Sequence, residues 1–137
     1  MYSKTKLFAV AGAISMALAI GLGAFGANTL RESLTPRMLA VYQTAVLYHM
    51  VHAIGLFAVA QAALFKPRTA AFRWIRAAGW TMIGGTVLFS GSLYVMAATS
   101  MRWLGAITPV GGIALIVAWL LLAVGLIRGD RPKGDHQ

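Results

Sequence analysis

The chain has 137 residues, of which 59% are hydrophobic and 11% charged, and its mean hydropathy is +0.75. A water-soluble domain carries roughly 45–50% apolar and about 25% charged residues, so the composition excludes a soluble globule and indicates a bilayer protein. Twelve Lys and Arg against three acids give +9. These charges fall between the apolar runs rather than on one basic surface, which excludes nucleic acid as a partner. The absence of Cys excludes disulfides, thiolate metal sites and a cysteine nucleophile.

A spanning helix needs about 20 predominantly apolar residues. The first candidate runs from about residue 7 to 27 without a charge, preceded by Lys4 and Lys6. Ala24-Phe25-Gly26-Ala27 resembles a small-residue cleavage site, but the uncharged run exceeds the roughly 7–15 residues of a signal h-region. We therefore expect an uncleaved span, an expectation that a mature N-terminus near Asn28 would overturn. Small residues at four-residue spacing, Ala9, Ala13, Ala17 and Gly21, predict a close-packing stripe. Gly21, Gly23 and Gly26 have the bare spacing of a dinucleotide fingerprint, which lacks its strand and its setting here.

After a loop with Arg31 and Arg37, Thr35-Pro36 suits a Thr N-cap followed by Pro at the first helical position. The second span covers about 45–65, and that start leaves open a single long helix over 36–65. The next loop carries Lys66, Arg68, Arg73 and Arg76. A third span follows at about 77–98, with a second small-residue stripe at Ala77, Thr81 and Gly85. Beyond Arg102, Thr108-Pro109 repeats the Thr-Pro device and opens the fourth span, about 109–127, with Ala106, Ala114 and Ala118 as its stripe. Gly84-Gly85 and Gly111-Gly112 read as close-packing points. A tail over 128–137 holds Arg128, Arg131 and Lys133.

Positive residues are retained on the cytoplasmic side of short loops. Lys4, Lys6, Lys66, Arg68, Arg73, Arg76, Arg128, Arg131 and Lys133 fall in alternate loops and number nine of the 12. The expected fold is an all-α integral membrane protein, a single four-transmembrane-helix bundle of the bacterial plasma membrane with both termini cytoplasmic. Trp74 and Trp103 stand at span boundaries, as interfacial aromatics do. Trp80 and Trp119 stand inside spans.

The uncommon polar residues cluster toward the outer half: Asn28, Tyr42, Gln43, Tyr48, His49, His52, Ser90, Ser92, Tyr94 and Thr108, with Gln61 as the main exception. At 100° per residue Tyr42, His49 and His52 share one helix face, and an outward-opening polar patch follows. His49 and His52 at i and i+3 could face one metal ion, yet no span carries a carboxylate and His136 lies on the opposite side, so they are weak metal candidates. Bis-His haem fails on geometry, because axial ligands approach from opposite faces. Glu32, Asp130 and Asp135 all lie outside the spans, which disfavours proton-coupled export and removes the orienting acid of a Ser-His-Asp triad.

Several strings together carry a resemblance: Gly23-Ala24-Phe25-Gly26-Ala27, Tyr42-Gln43-Thr44-Ala45, Tyr48-His49-Met50-Val51-His52-Ala53, Gly85-Thr86-Val87-Leu88-Phe89-Ser90-Gly91-Ser92-Leu93-Tyr94, and Thr108-Pro109-Val110-Gly111-Gly112, with Trp119 downstream. From about Phe8 to Ile127 the chain resembles the YgdD-like family of small bacterial inner-membrane proteins (domain of unknown function 423, UPF0382 type), which is similar to the animal transmembrane protein 256. The resemblance implies four plasma-membrane spans and no known activity. The family's Gly-Ala-Phe-Gly-Ala string is usually followed by His, where this chain has Asn28; the exchange weakens a metal reading more than a hydrogen-bonded one.

The expected role is a non-enzymatic structural or accessory membrane subunit without a cofactor, whose patch (Asn28, Tyr42, His49, His52, Ser90, Ser92, Tyr94, Thr108) serves helix packing. Its expected partners are membrane lipid and a larger membrane complex or homo-oligomer. The alternative is a small-molecule, lipid or metal binding or transport protein that works as an oligomer through the same residues.

Overall fold

Four long helices follow from the four apolar runs. The computed structural model describes residues 2–65 and 70–128, with side chains from Thr5 onward. Helix α1 is Tyr2–Phe25, α2 Pro36–Phe65, α3 Ala71–Thr99 and α4 Thr108–Ile127. All four are long and apolar enough to cross a membrane. A π-helical turn, Gly26–Leu30, extends α1, and a 3₁₀ turn, Arg102–Ala106, leads into α4. Among the topology charges, Lys66, Arg68, Arg131 and Lys133 lie outside the described residues, as does the side chain of Lys4.

The second span is one helix from Pro36 to Phe65, about 45 Å long at 1.5 Å per residue. Its start is capped as the sequence suggests: the Thr35 hydroxyl accepts the Met38 N–H at 3.2 Å, and the Thr35 carbonyl accepts the Leu39 N–H at 2.8 Å. The second Thr-Pro start differs. Thr108 is already helical and Ile107 is the cap. The 3₁₀ turn delivers the chain in helical register, so the Ile107 carbonyl receives the N–H groups of Val110 and Gly111. The Thr108 hydroxyl is thereby released for contacts elsewhere.

Successive helices pack as neighbours, α1 on α2, α2 on α3 and α3 on α4. One end of the bundle holds the start of α1 and the finish of α4; the other holds the α1–α2 and α3–α4 connections. The apolar core fills the half nearer the first end, where Phe8, Leu56, Val59, Ile75, Ala78, Met82, Leu115 and Leu122 are buried together. Phe8 crosses from α1 to lie over Gly79 and edge-on to Trp80, ring centroids 5.6 Å apart. At the same end the Arg128 guanidinium lies 5.1 Å above the Trp74 ring. Ile14, Leu18, Ile20, Val110, Ile113, Ile116 and Leu120 stand more than half exposed, the apolar perimeter that a bilayer solvates.

Helices in lipid gain from close backbone approach. That approach occurs between α3 and α4, where a Cβ on Gly85 would meet Leu115 and a Cβ on Gly111 would meet the backbone of Phe89 and Leu88. Of the stripe expected on α1 only Ala9 packs against the core: Ala13, Ala17 and Gly21 are exposed, and nothing lies within 4 Å of a Cβ on Gly21. Gly12, Ala19 and Gly26 make the approach instead. Small residues alone cannot tell a packing face from a lipid face when neighbouring positions are equally small.

Candidate functional site

The polar side chains of α2 reach three different helices from one face. Tyr42 lies flat against Gly26, whose missing Cβ makes the room, and its hydroxyl donates to the Leu22 carbonyl of α1 at 2.5 Å. About two turns further on, His49 Nδ1 and the Tyr94 hydroxyl of α3 are 3.0 Å apart. Tyr94 also places its ring edge-on to Tyr42, centroids 5.4 Å apart. His52 turns toward α4, where its Nε2 accepts the Trp119 indole N–H at 3.1 Å.

The other patch residues extend this set. The Ser90 hydroxyl donates to the Ala45 carbonyl at 2.9 Å, bridging α3 to α2. The Ser92 and Thr108 hydroxyls meet at 2.7 Å and bridge α3 to α4, with Ser92 also near the Phe89 carbonyl at 2.9 Å and Thr108 near Leu104 at 3.3 Å. Asn28 stays outside: it is exposed on the π-helical turn. Tyr48 is 40% exposed and lies tilted against Phe89, ring centroids 4.4 Å apart, while Gln43 is exposed.

The two histidines, neighbours on the helix, have different environments. His52 Nδ1 lies 2.7 Å from the Tyr48 carbonyl, which can only accept, so Nδ1 carries the proton and Nε2 offers the lone pair that Trp119 uses. Both nitrogens are occupied and no lone pair remains for a metal. His49 points to Tyr94 instead, and among the described residues no group of three His, Asp or Glu side chains could hold an ion. The i, i+3 spacing that would bring two imidazoles to one metal here sends them to different neighbours.

Both histidines lie deeper than the hydropathy pattern suggests. Trp119 stands just past the midpoint of α4, whose 20 uncharged residues cover about 30 Å, the thickness of the hydrocarbon. His52, hydrogen-bonded to Trp119, is therefore level with the middle of the span. The apolar run of α2 begins late because Tyr42 and Gln43 interrupt it, which makes His49 look superficial in the sequence alone. Trp119 is the partner that patch reasoning missed; an indole N–H inside a span always needs an acceptor, and that signal was present.

On the side of the bundle away from α4, α1 and α3 stand apart above α2 and leave a groove of about 480 Å³. Leu56 and Ile83 line it toward the Phe8 end, and Leu22 and Tyr94 toward the other. Ser15, His49, Thr86, Ser90 and Tyr94 supply its few polar groups, and the Thr86 and Ser90 hydroxyls are turned to the Met82 and Ala45 carbonyls. No charged residue lines it.

A helical bundle with four membrane-crossing lengths, tied across its interior by uncharged hydrogen bonds, defines a small multi-pass membrane protein. The family profile described as "Protein of unknown function (DUF423)" matches residues 22–112. The chain is 46% identical over 123 residues to the UPF0382 membrane protein YwdK of Bacillus subtilis, covering 90% of this chain and 98% of that one. It is 40% identical over 123 residues to a UPF0382 membrane protein of Staphylococcus saprophyticus, with the same coverage. The chain belongs to this family of uncharacterised membrane proteins. No solved structure matches it.

Proposed function

We propose that the protein is a non-enzymatic subunit of the bacterial inner membrane, with both termini in the cytoplasm, that acts as a structural or accessory component of a larger membrane complex. One observation carries the reading: Tyr42, His49, His52, Ser90, Ser92, Tyr94 and Thr108 each direct a polar atom at a neighbouring helix. Groups arranged for substrate turnover would be held ready for a reactant, whereas these hold α1, α2, α3 and α4 to one another. Among the described residues no carboxylate orients either histidine, and Glu32 is exposed in the α1–α2 connection. The orientation is supported by the nine positive residues of alternate loops.

The histidine pair tests the role. His49→Ala with His52→Ala should lower thermal stability in detergent, and any cellular defect should disappear once protein level is restored. A double variant of normal stability and level that still lacks function would refute the structural reading. Purification from native membranes in mild detergent should bring down a protein partner or a second copy; a lone monomer from intact complexes argues against an accessory subunit. The chain has no Cys, so single-cysteine variants report orientation directly. Ser33→Cys and Ser100→Cys should react with a membrane-impermeant maleimide on intact cells, and Arg73→Cys should not; the reverse pattern overturns the assignment.

A further inference from the structure

Among the described residues, a buried polar atom of the patch is left without a partner. His49 is only 9% exposed, and its Nδ1 is taken by Tyr94. Its Nε2 has no partner among the described residues, where no fully enclosed side-chain nitrogen or oxygen is left unpaired. Nε2 therefore opens onto the space that His49 lines, the groove between α1, α2 and α3. Ser15, on the α1 wall of the same groove, likewise has no hydrogen-bond partner among the described residues.

The protonation of His49 follows from its neighbour. If the Tyr94 O–H donates to Nδ1, only the Nε2 hydrogen is left over. The reverse arrangement would leave both the phenolic proton and the Nε2 lone pair unsatisfied in an apolar wall, which is costly for buried polar groups. His49 thus presents Nε2–H, a donor, to the groove. The matching ligand atom is an acceptor.

The rest of the ligand is set by the walls. The groove has a volume of about 480 Å³, within the roughly 300–1,000 Å³ of small-molecule sites, and from Ala11 to Leu22 its α1 wall rises about 16 Å. It has no Lys, Arg, Asp or Glu to neutralise a charge, so a phosphate or carboxylate head placed beside His49 would be an unpaired ion at mid-membrane. The head must be uncharged and must accept a hydrogen bond inside the hydrocarbon. We infer that the groove binds a lipid-soluble carbonyl compound of the quinone class, its ring carbonyl on His49 Nε2–H and its apolar chain along Leu56, Ile83 and Ala11. This inference stands apart from the accessory-subunit reading, since it uses the nitrogen that the interhelical ties leave over.

Gly91 supplies the test. It lines the groove, and a Cβ added there meets nothing within 4 Å, so Gly91→Leu starts its side chain in open space and occupies part of the groove. Gly84→Leu, on the same helix, is also free of contacts and lies outside the groove, which makes it the control. The full chain in nanodiscs is titrated with decylubiquinone, and with decylbenzene, which keeps a ring and chain without the carbonyl. Wild type and Gly84→Leu should retain decylubiquinone saturably and equally. Gly91→Leu should bind at least tenfold more weakly, and His49→Leu about tenfold, the scale of one hydrogen bond. The His49 ring-nitrogen NMR signal should shift on binding while that of His52 stays. Equal retention by Gly91→Leu overturns the proposal. So does equal binding of decylbenzene, which would make the groove merely apolar, and so does a co-purified phospholipid that Gly91→Leu expels.

Discussion

Adjacent glycines at the start of α4 should respond to the same substitution with opposite signs. At Gly111 an added methyl meets the Phe89 N and Cα and the Leu88 carbonyl carbon, all backbone atoms and all nearer than 3.0 Å. Backbone cannot rotate away, so α3 and α4 must separate by about 1 Å to restore ordinary van der Waals distance near 3.5–4.0 Å. Overpacking of this kind costs about 1–3 kcal/mol, and a rigid obstacle puts Gly111→Ala at the upper end. The better helix propensity of Ala returns up to about 1 kcal/mol, leaving a net loss of about 2 kcal/mol. At Gly112 the methyl would sit 3.6 and 3.7 Å from the Phe89 ring, an ordinary contact, so Gly112→Ala keeps the propensity gain and should be neutral or up to about 1 kcal/mol stabilising. Reversible unfolding in mixed micelles, followed by circular dichroism, measures both variants against wild type. Equal stability of the two variants would refute the close α3–α4 approach at Gly111.

Two other perturbations test the interior and one turn. In a double-mutant cycle with His52→Leu and Trp119→Phe, the coupling should be about 0.6–1.7 kcal/mol, the range of interhelical hydrogen bonds in bilayers; additive effects would deny the α2–α4 tie. Ser100 ends α3 at φ 58° and ψ 22°, a left-handed conformation that costs a non-glycine residue roughly 1 kcal/mol. Ser100→Gly should therefore stabilise by about 0.5–1 kcal/mol in the same unfolding assay, and destabilisation would contradict the left-handed cap.

The helices were legible because membrane spans announce themselves by length: the runs near residues 45–65, 77–98 and 109–127 fall within α2, α3 and α4, and the run near 7–27 is covered by α1 and the π-helical turn that extends it. The extension of α2 back to Pro36 rests on Thr35, a capping signal that hydropathy ignores. The identity of the polar residues was also legible, because Tyr, His and Ser are conspicuous in an apolar stretch. Their partners were not. Tyr42 bonds a carbonyl, and a carbonyl leaves no mark in a sequence; Ser90 does the same at Ala45. The depth of His49 is not legible for a related reason, since hydropathy locates a run and not the level of its neighbours. Thr108 looked like a cap until the 3₁₀ turn before it supplied the helical register, freeing its hydroxyl for Ser92. The groove could not be read at all, because it arises from the splay of α1 and α3 rather than from any residue type.

The ties of α2 also bear on how the protein is made. A chain is inserted from its N-terminus, and α2 enters the bilayer with Tyr48, His49 and His52 before their neighbours exist. Tyr42 finds its acceptor at once, on a helix already present 20 residues upstream. His49 waits for Tyr94, 45 residues later, and His52 for Trp119, 67 residues later. Once α3 is in place His49 has Tyr94, and until α4 follows only the His52 imidazole lacks its tie, which a chain truncated before Trp119 never gains. The last interhelical tie of α2 therefore forms only when α4 arrives, so a membrane protease that recognises polar groups in the hydrocarbon could distinguish an unfinished copy from a finished one at His52.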